Sequence, residues 1–283
     1  MLIRPAEEAD LAAERAVFCA AEGELYRRHG FAGPEPPLEA FAHTHRHLLA
    51  HDRERSFVAE LEGRVVGFSA AFMRDETWFL SALFVDPALQ SLGIGRRLLD
   101  HSWSDQARHR ITITDAIQPV SNGIYARRGL IPTTPVLTLT GQPRAERPRS
   151  LERAPAEPAA LRTLDLAAYG FDRGRDHDHW SSTMRCSLWL SSGRPIAYSY
   201  AAPGGAVGPI AGSSEAAAAA ALEAELADLA GTQASVVVPG SSRELVSTGL
   251  AAGLRFDSPP GLLLLSPAAE PPRSLAISSY WLL

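Results

Sequence analysis

Residues 81–103 limit what this chain can fold into more narrowly than any other stretch. They read as a buried strand, an Asp86-Pro87 break, a glycine-spaced loop and then an apolar-periodic helix. Residues 78–85 are apolar and β-prone, while Ile94, Leu98, Leu99 and Trp103 continue a helical stripe. Between them, Gln90, Ser91, Leu92, Gly93, Ile94 and Gly95 sit where loop turns into helix. Unpaired backbone N–H groups and the positive end of the helix dipole point at one place there, which suits a phosphate. Gly93 and Gly95 keep Cβ atoms out of the way of a bulky anion, and Arg96 and Arg97 add positive charge.

Other pyrophosphate loops fit less well. A P-loop requires G-x-x-x-x-G-K-S/T, and the chain contains no lysine. A dinucleotide fingerprint requires a third glycine and a later acidic residue, and the third glycine is missing here. The order Q-x-x-G-x-G between a strand and a helix resembles the acetyl-CoA signature of the GNAT N-acetyltransferase superfamily. The resemblance is specific for residues 56–140. Residues 1–4, leading into a helix at residues 6–10, also fit the family's opening.

The second half of the chain repeats the first in outline. A hairpin at residues 56–72 turns at Glu62-Gly63, and residues 186–202 follow the same spacing, with Gly193-Arg194 for Gly63-Arg64 and Ala197-Tyr198 for Gly67-Phe68. Pairing Gly129 with Gly253 sets Gly249 opposite Tyr125 and Val246 opposite Asn122. The phosphate loop has no counterpart: residues 210–214 lack the glycine spacing and lead, through Ser213 or Ser214 as a cap, into an alanine-rich helix. Proline-rich residues 141–160 read as a linker. The expected organisation is a GNAT acetyl-CoA-binding domain at 1–140, a linker at 141–160 and a degenerate GNAT-like domain at 161–283. The fold class is α/β (α+β), with two lobes, each a mixed, mainly antiparallel sheet flanked by helices.

Composition narrows the partners. A formal net charge of −5, with every cationic side chain an arginine, provides no broad basic field for nucleic acid. The first ten residues lack a signal peptide's apolar core, and no run approaches a membrane span, so a cytoplasmic protein is expected. Cys19 and Cys186 suggest neither a disulfide framework nor a metal site.

The resemblance implies roles for particular residues. The backbone of Leu83, Phe84 and Val85 would pair with the pantetheine arm like an added strand. Amides from Ser91 through Arg96 would hold the pyrophosphate, with Gln90 either a ligand or a brace for the loop. Tyr125, four residues before Gly129, would protonate the leaving thiolate. Where the family commonly shows an asparagine seven residues before the tyrosine, this chain has Gln118, so the amide's role falls to Gln118 or Asn122. The strand position at which some members carry a glutamate base is Phe79, while Asp75 and Glu76 fit a solvated turn, so no base is assigned.

His43, His45, His47 and His51 could share helix faces, yet no cysteine or paired carboxylate accompanies them, and no metal is expected. A partly exposed helix bordering the acceptor site is the better reading. Glu22, Glu24, Glu35 and Glu39 either attract a cationic amine or form ordinary surface charge.

The expected activity is acetyl transfer from acetyl-CoA, as co-substrate, to a small-molecule amine, with no nucleic-acid or membrane partner and homodimerisation left open. The alternative is a non-catalytic acyl-CoA-binding regulatory protein. In either case the second lobe would close the acceptor site or mediate association.

Overall fold

Glu62 and Gly63 both take positive φ, 53° and 77°, and Ser192 and Gly193 repeat the pair at 51° and 73°. Two-residue hairpin loops favour this conformation because it matches the twist of the flanking strands. The computed structural model describes residues 1–148, 150–257 and 259–283. The chain divides into two compact units, residues 1–112 with 117–130, and residues 113–116 with 131–283.

The first unit runs β1 (Leu2–Pro5), α1 (Leu11–Arg28), α2 (Leu38–His51), β2 (Ser56–Leu61), β3 (Arg64–Arg74), β4 (Thr77–Val85), α3 (Ile94–Ser102), the start of β5 (His109–Asp115) and α4 (Pro119–Arg127). The strands lie in that order, antiparallel up to β4, which pairs in parallel with β5. Helices α1 and α2 cover one face through an aromatic cluster. Phe84 stacks on Phe68 at 5.5 Å and meets the edge of Phe18 at 5.1 Å. On the other face, Ile94 and Leu98 of α3 pack on Ala59 and Val66, with Leu83 and Val85 beside them. A buried ion pair fixes the end of α2: Arg74 reaches both oxygens of Asp52, at 3.0 and 2.9 Å, and the Met73 amide donates to the same carboxylate at 3.1 Å.

In the second unit, β6 (Ile131–Gly141) is followed by β7 (Glu152–Ala154), α5 (Pro158–Ala168), α6 (Gly174–Ser181), β8 (Arg185–Ser191), β9 (Arg194–Ala201) and β10 (Ala206–Gly212). There follow α7 (Glu215–Asp228), β11 (Ala234–Pro239), α8 (Arg243–Ala251), β12 (Arg255–Phe256), β13 (Gly261–Leu265) and β14 (Leu275–Ala276). Ser214 caps α7 by accepting the Ala217 amide at 3.1 Å. Leu222, Ala224 and Leu226 are fully buried in this helix, which packs on β9, β10 and α8, so good intrinsic propensity and burial act together.

Two features depart from the sequence-based boundaries. Strand β6, read from sequence as the end of the first domain, pairs antiparallel with β11 and β13 and belongs to the second unit. Within the stretch read as a linker, β7 pairs antiparallel with β8 and α5 begins at Pro158. Proline at the first helical turn favours the helix rather than a linker.

The duplication extends to register. In β2–β3 the pairing slips after Ala59↔Gly67, leaving Val66 as the extra residue, and in β8–β9 it slips after Trp189↔Ala197, leaving Ile196. These are equivalent positions of the two hairpins, and a β-bulge sets local strand bend and twist. Among the described residues, no helix is long and apolar enough to cross a membrane.

Candidate functional site

Strand β4 carries a bulge of its own. Ala70 pairs with Ala82 and Ala71 with Leu80, so Ser81 is the extra residue. The parallel ladder to β5 ends beside it, at Leu80↔Thr112, where the Thr112 hydroxyl donates to the Leu80 carbonyl at 3.0 Å. Beyond the bulge, Leu83, Phe84 and Val85 keep their pairing with β3, past the point where the ladder to β5 has ended. The three side chains serve the core, as the packing above shows, so only their backbone is offered to a ligand.

Asp86 ends the strand and accepts the Ala88 amide at 3.0 Å, which starts a single turn over Pro87–Leu89. Gln90 then donates from Nε2 to the Val85 carbonyl at 3.3 Å and ties the loop back to the strand end. Ser91 and Gly93 have φ of 69° and 81°. The first backbone bond of α3 runs from the Arg97 amide to the Gly93 carbonyl at 3.2 Å. The amides of Ile94, Gly95 and Arg96 precede it and have no intrahelical acceptor, as at any helix start.

The loop has room for an anion. A Cβ built on Gly93 would meet nothing nearer than Arg96 Nη2 at 3.4 Å, and one on Gly95 nothing nearer than Val85 Cγ2 at 3.6 Å. A cleft of about 480 Å³ opens beside it, walled by Leu92, Gly93, Arg96, Arg97, Ile124, Arg127 and Arg128. Arg128 is paired with Asp100 and lies over the Trp103 ring at 5.3 Å. Arg127 and Arg128 were not singled out in the sequence. Their signal was adjacency, since they directly precede Gly129 at the end of the helix that carries Tyr125.

Gln118 is the N-cap residue of α4, and its carbonyl accepts the Asn122 amide at 3.2 Å. Both amide side chains therefore belong to the first turn of the helix, with Tyr125 near its end. Tyr125 is 4% exposed, and burial pushes its hydroxyl well above the ordinary tyrosine pKa. Such a phenol stays protonated and can donate but not act as a base.

Phe79 is fully buried and stacks on Phe72 at 5.0 Å, so the strand position where a base was sought is core. Asp75, at φ 48°, and Glu76 form the exposed β3–β4 turn. Within the histidine cluster, His45 is buried, 3.0 Å from Glu14 and stacked on Phe41, while the rings of His47 and His51 lie 4.8 Å apart. Among the described residues no group of three or more His, Cys, Asp or Glu is placed to hold a metal ion. Of the four glutamates, Glu24 is engaged by Arg27 and Arg28, Glu39 by Arg46, Glu22 is buried and Glu35 is exposed.

Residues 21–130 match the family described as Acetyltransferase (GNAT) family. No curated protein matches the chain. Among solved structures, a protein from Pyrococcus horikoshii assigned provisionally as an acetyltransferase superposes with a TM-score of 0.78 at 18% identity, covering 100% of this chain and 95% of that one. A GNAT protein from Sphaerobacter thermophilus gives 0.64 at 13% identity, covering 96% and 97%. A tandem GNAT protein from the clavulanic acid biosynthesis pathway gives 0.60 at 13% identity, covering 95% and 99%. At these identities the structural likeness establishes the fold over the whole length, while the sequence match falls on the segment that carries the Gln90 to Gly95 loop and Tyr125. Residues 21–130 thus match the GNAT family, and the whole chain shares the fold of solved GNAT proteins, a tandem one among them.

Proposed function

We propose that this protein is an acetyl-CoA-dependent N-acetyltransferase whose N-terminal lobe holds the co-substrate and whose acceptor is a small-molecule amine in the cytoplasm. The observation that carries the reading is that β4, past the end of its ladder with β5, runs directly into an open, glycine-spaced helix start. An extended chain bearing amides can add to the edge at Leu83, Phe84 and Val85, and its pyrophosphate can meet the N–H groups from Ser91 through Arg96. Gln90 braces the loop, and Gln118 and Asn122 face the co-substrate from the start of α4.

The chemistry is direct transfer within a ternary complex. The neutral amine attacks the thioester carbonyl carbon, a C–N bond forms, and the C–S bond breaks with its electron pair going to sulfur. Backbone N–H groups of β4 stabilise the developing oxyanion. The positively charged nitrogen of the tetrahedral intermediate loses a proton to water, since the strand position that could have held a base is Phe79; Tyr125 gives its proton to the departing thiolate and regains one from solvent, leaving the neutral amide and free CoA thiol. The net charge of −5 suits a cationic or neutral amine better than a nucleic acid.

The buried aromatic at position 79 also favours a second reading, an acyl-CoA sensor without turnover. A panel of primary amines with thiol release as the readout separates the two. Transfer to at least one amine supports the enzyme, and tight CoA binding with no transfer across the panel supports the sensor.

A further inference from the structure

The second lobe contains the same groove in the same register, and the chain itself fills it. In the first lobe Leu83 pairs with Ser69, and in the second Ile210 pairs with Ser199, the serine at the equivalent place on β9. Strand β10 also has the bulge: its pairing with β9 runs from Val207↔Ala201 to Ile210↔Ser199, with one residue more on β10 than on β9. The parallel ladder with β11 ends at Val207↔Val236, as that of β4 with β5 ends at Leu80↔Thr112. Ile210, Ala211 and Gly212 therefore correspond to Leu83, Phe84 and Val85.

The edge that these residues leave free is taken by residues 274–277. Ile210 pairs with Ala276 and Ala211 with Leu275, antiparallel. The Gly212 amide donates to the Ser274 carbonyl at 2.9 Å, and on the other side the Ile277 amide donates to the Val237 carbonyl at 2.9 Å. The segment thus bridges the two diverging strands. The fit is close: a Cβ on Gly208 would lie 2.5 Å from the Ile277 carbonyl oxygen, and Leu275, Ala276 and Ile277 are at most 1% exposed. Tyr169, just past the end of α5, adds a bond from its hydroxyl to the Ala276 carbonyl at 3.2 Å.

The remaining parts of a cofactor site are closed as well. A Cβ on Gly212 would meet the Ala218 amide nitrogen at 2.5 Å and the Ser214 carbonyl at 2.7 Å, so the start of α7 leaves no cradle for a phosphate. Gly249, opposite Tyr125 in the repeat, packs with its Cβ position 3.1 Å from Leu139 and brings no hydroxyl.

We infer that residues 274–277 are the resident ligand of the second lobe, a tethered peptide strand in the place where the first lobe takes the pantetheine arm. The second lobe is a strand-binding groove satisfied in cis, closed to acyl-CoA, and the whole chain takes one CoA. Main-chain hydrogen bonds from a strand added at a sheet edge supply the affinity, and covalent tethering gives the segment a high effective concentration that a free competitor must overcome. The count of one CoA rests on the proposed function of the first lobe, whereas the filled groove does not.

The test uses the intact wild-type protein. Calorimetric titration with CoA is paired with amide hydrogen exchange at Ile277 and Gly212, with and without saturating CoA. The expected result is one CoA per chain, with both amides exchanging at least about 10³-fold more slowly than in an unstructured peptide and unchanged by CoA. Exchange at the unstructured rate would overturn the inference, as would a second bound CoA accompanied by loss of protection at Ile277. No CoA bound, with Ile277 still protected, would refute the cofactor reading of the first lobe and support the filled groove.

Discussion

The carbonyl of Gly93 accepts the Arg97 amide at 3.2 Å while Gly93 itself stands at φ 81°. The residue that closes the first turn of α3 is thus held in the left-handed region, which costs an L side chain roughly 1–2 kcal/mol and a β-branched one more. Gly93→Val is expected to lower the melting temperature by several degrees, consistent with that cost, and to raise the CoA dissociation constant at least about tenfold because a Cβ then stands in the anion's approach. Gly95→Ala separates the two effects. Its Cβ would make an ordinary 3.6 Å contact with Val85, so the melting temperature should hold while CoA binding weakens. An unchanged dissociation constant in both variants would argue that the pyrophosphate binds elsewhere.

Tyr125→Phe keeps the buried ring and removes the proton donor. If the hydroxyl protonates the thiolate, kcat should fall by about 10² to 10⁴ with little change in CoA affinity. Steady-state rates with the best amine from the panel check this. Full activity would dismiss the proton-donor role while leaving the loop's role intact.

Buried phenols and a thiol give the fold an alkaline limit. Burial pushes Tyr169 up to about 12 and Cys186 up to about 11, from ordinary values of 10.0 and 9.0, and raises Tyr125, Tyr198 and Tyr200 as well. Below the ordinary values both folded and unfolded chains keep these protons, and stability does not depend on them. As pH rises past those values the unfolded chain releases protons that the folded chain retains, so stability falls. The urea midpoint should be flat from about pH 7 to about pH 8.5 and decline steeply by about pH 10.5. A flat midpoint across the whole range would contradict the burial of these groups.

Asp165 in the second lobe accepts from the Tyr198 hydroxyl at 2.6 Å, from His177 Nε2 at 2.9 Å and from the Arg173 amide at 3.2 Å. His177 Nδ1 in turn lies 2.9 Å from the Tyr200 hydroxyl, which extends the network. Asp165→Ala strands several buried donors at once and should cost about 3–5 kcal/mol in urea unfolding. A loss below about 1 kcal/mol would show that the network is easily replaced by water.

Local signals carried far in this chain. The loop at Gln90 to Gly95, the turns at Glu62-Gly63 and Ser192-Gly193, and the cap at Ser214 were legible because each depends on a few adjacent residues with distinctive backbone demands. The duplication was legible as spacing, and the two equivalent bulges show that spacing also preserved register. What stayed hidden was long-range pairing. Nothing local tells β6 that its partners are β11 and β13, and Leu275-Ala276-Ile277 is too short and uniformly apolar for periodicity to mark it as a strand. His45 likewise reads in sequence as part of a partly exposed helix, because the partner that buries it, Glu14, lies on another helix.

The central claim, that the amides of the first lobe's loop hold the co-substrate's pyrophosphate, is tested most directly by residue-resolved amide hydrogen exchange of residues 91–96 during a CoA titration. These amides are expected to gain protection in step with CoA occupancy, alongside those of Leu83 and Val85 on the outer edge of β4. Saturable CoA binding that leaves residues 91–96 exchanging as in the free protein would contradict it.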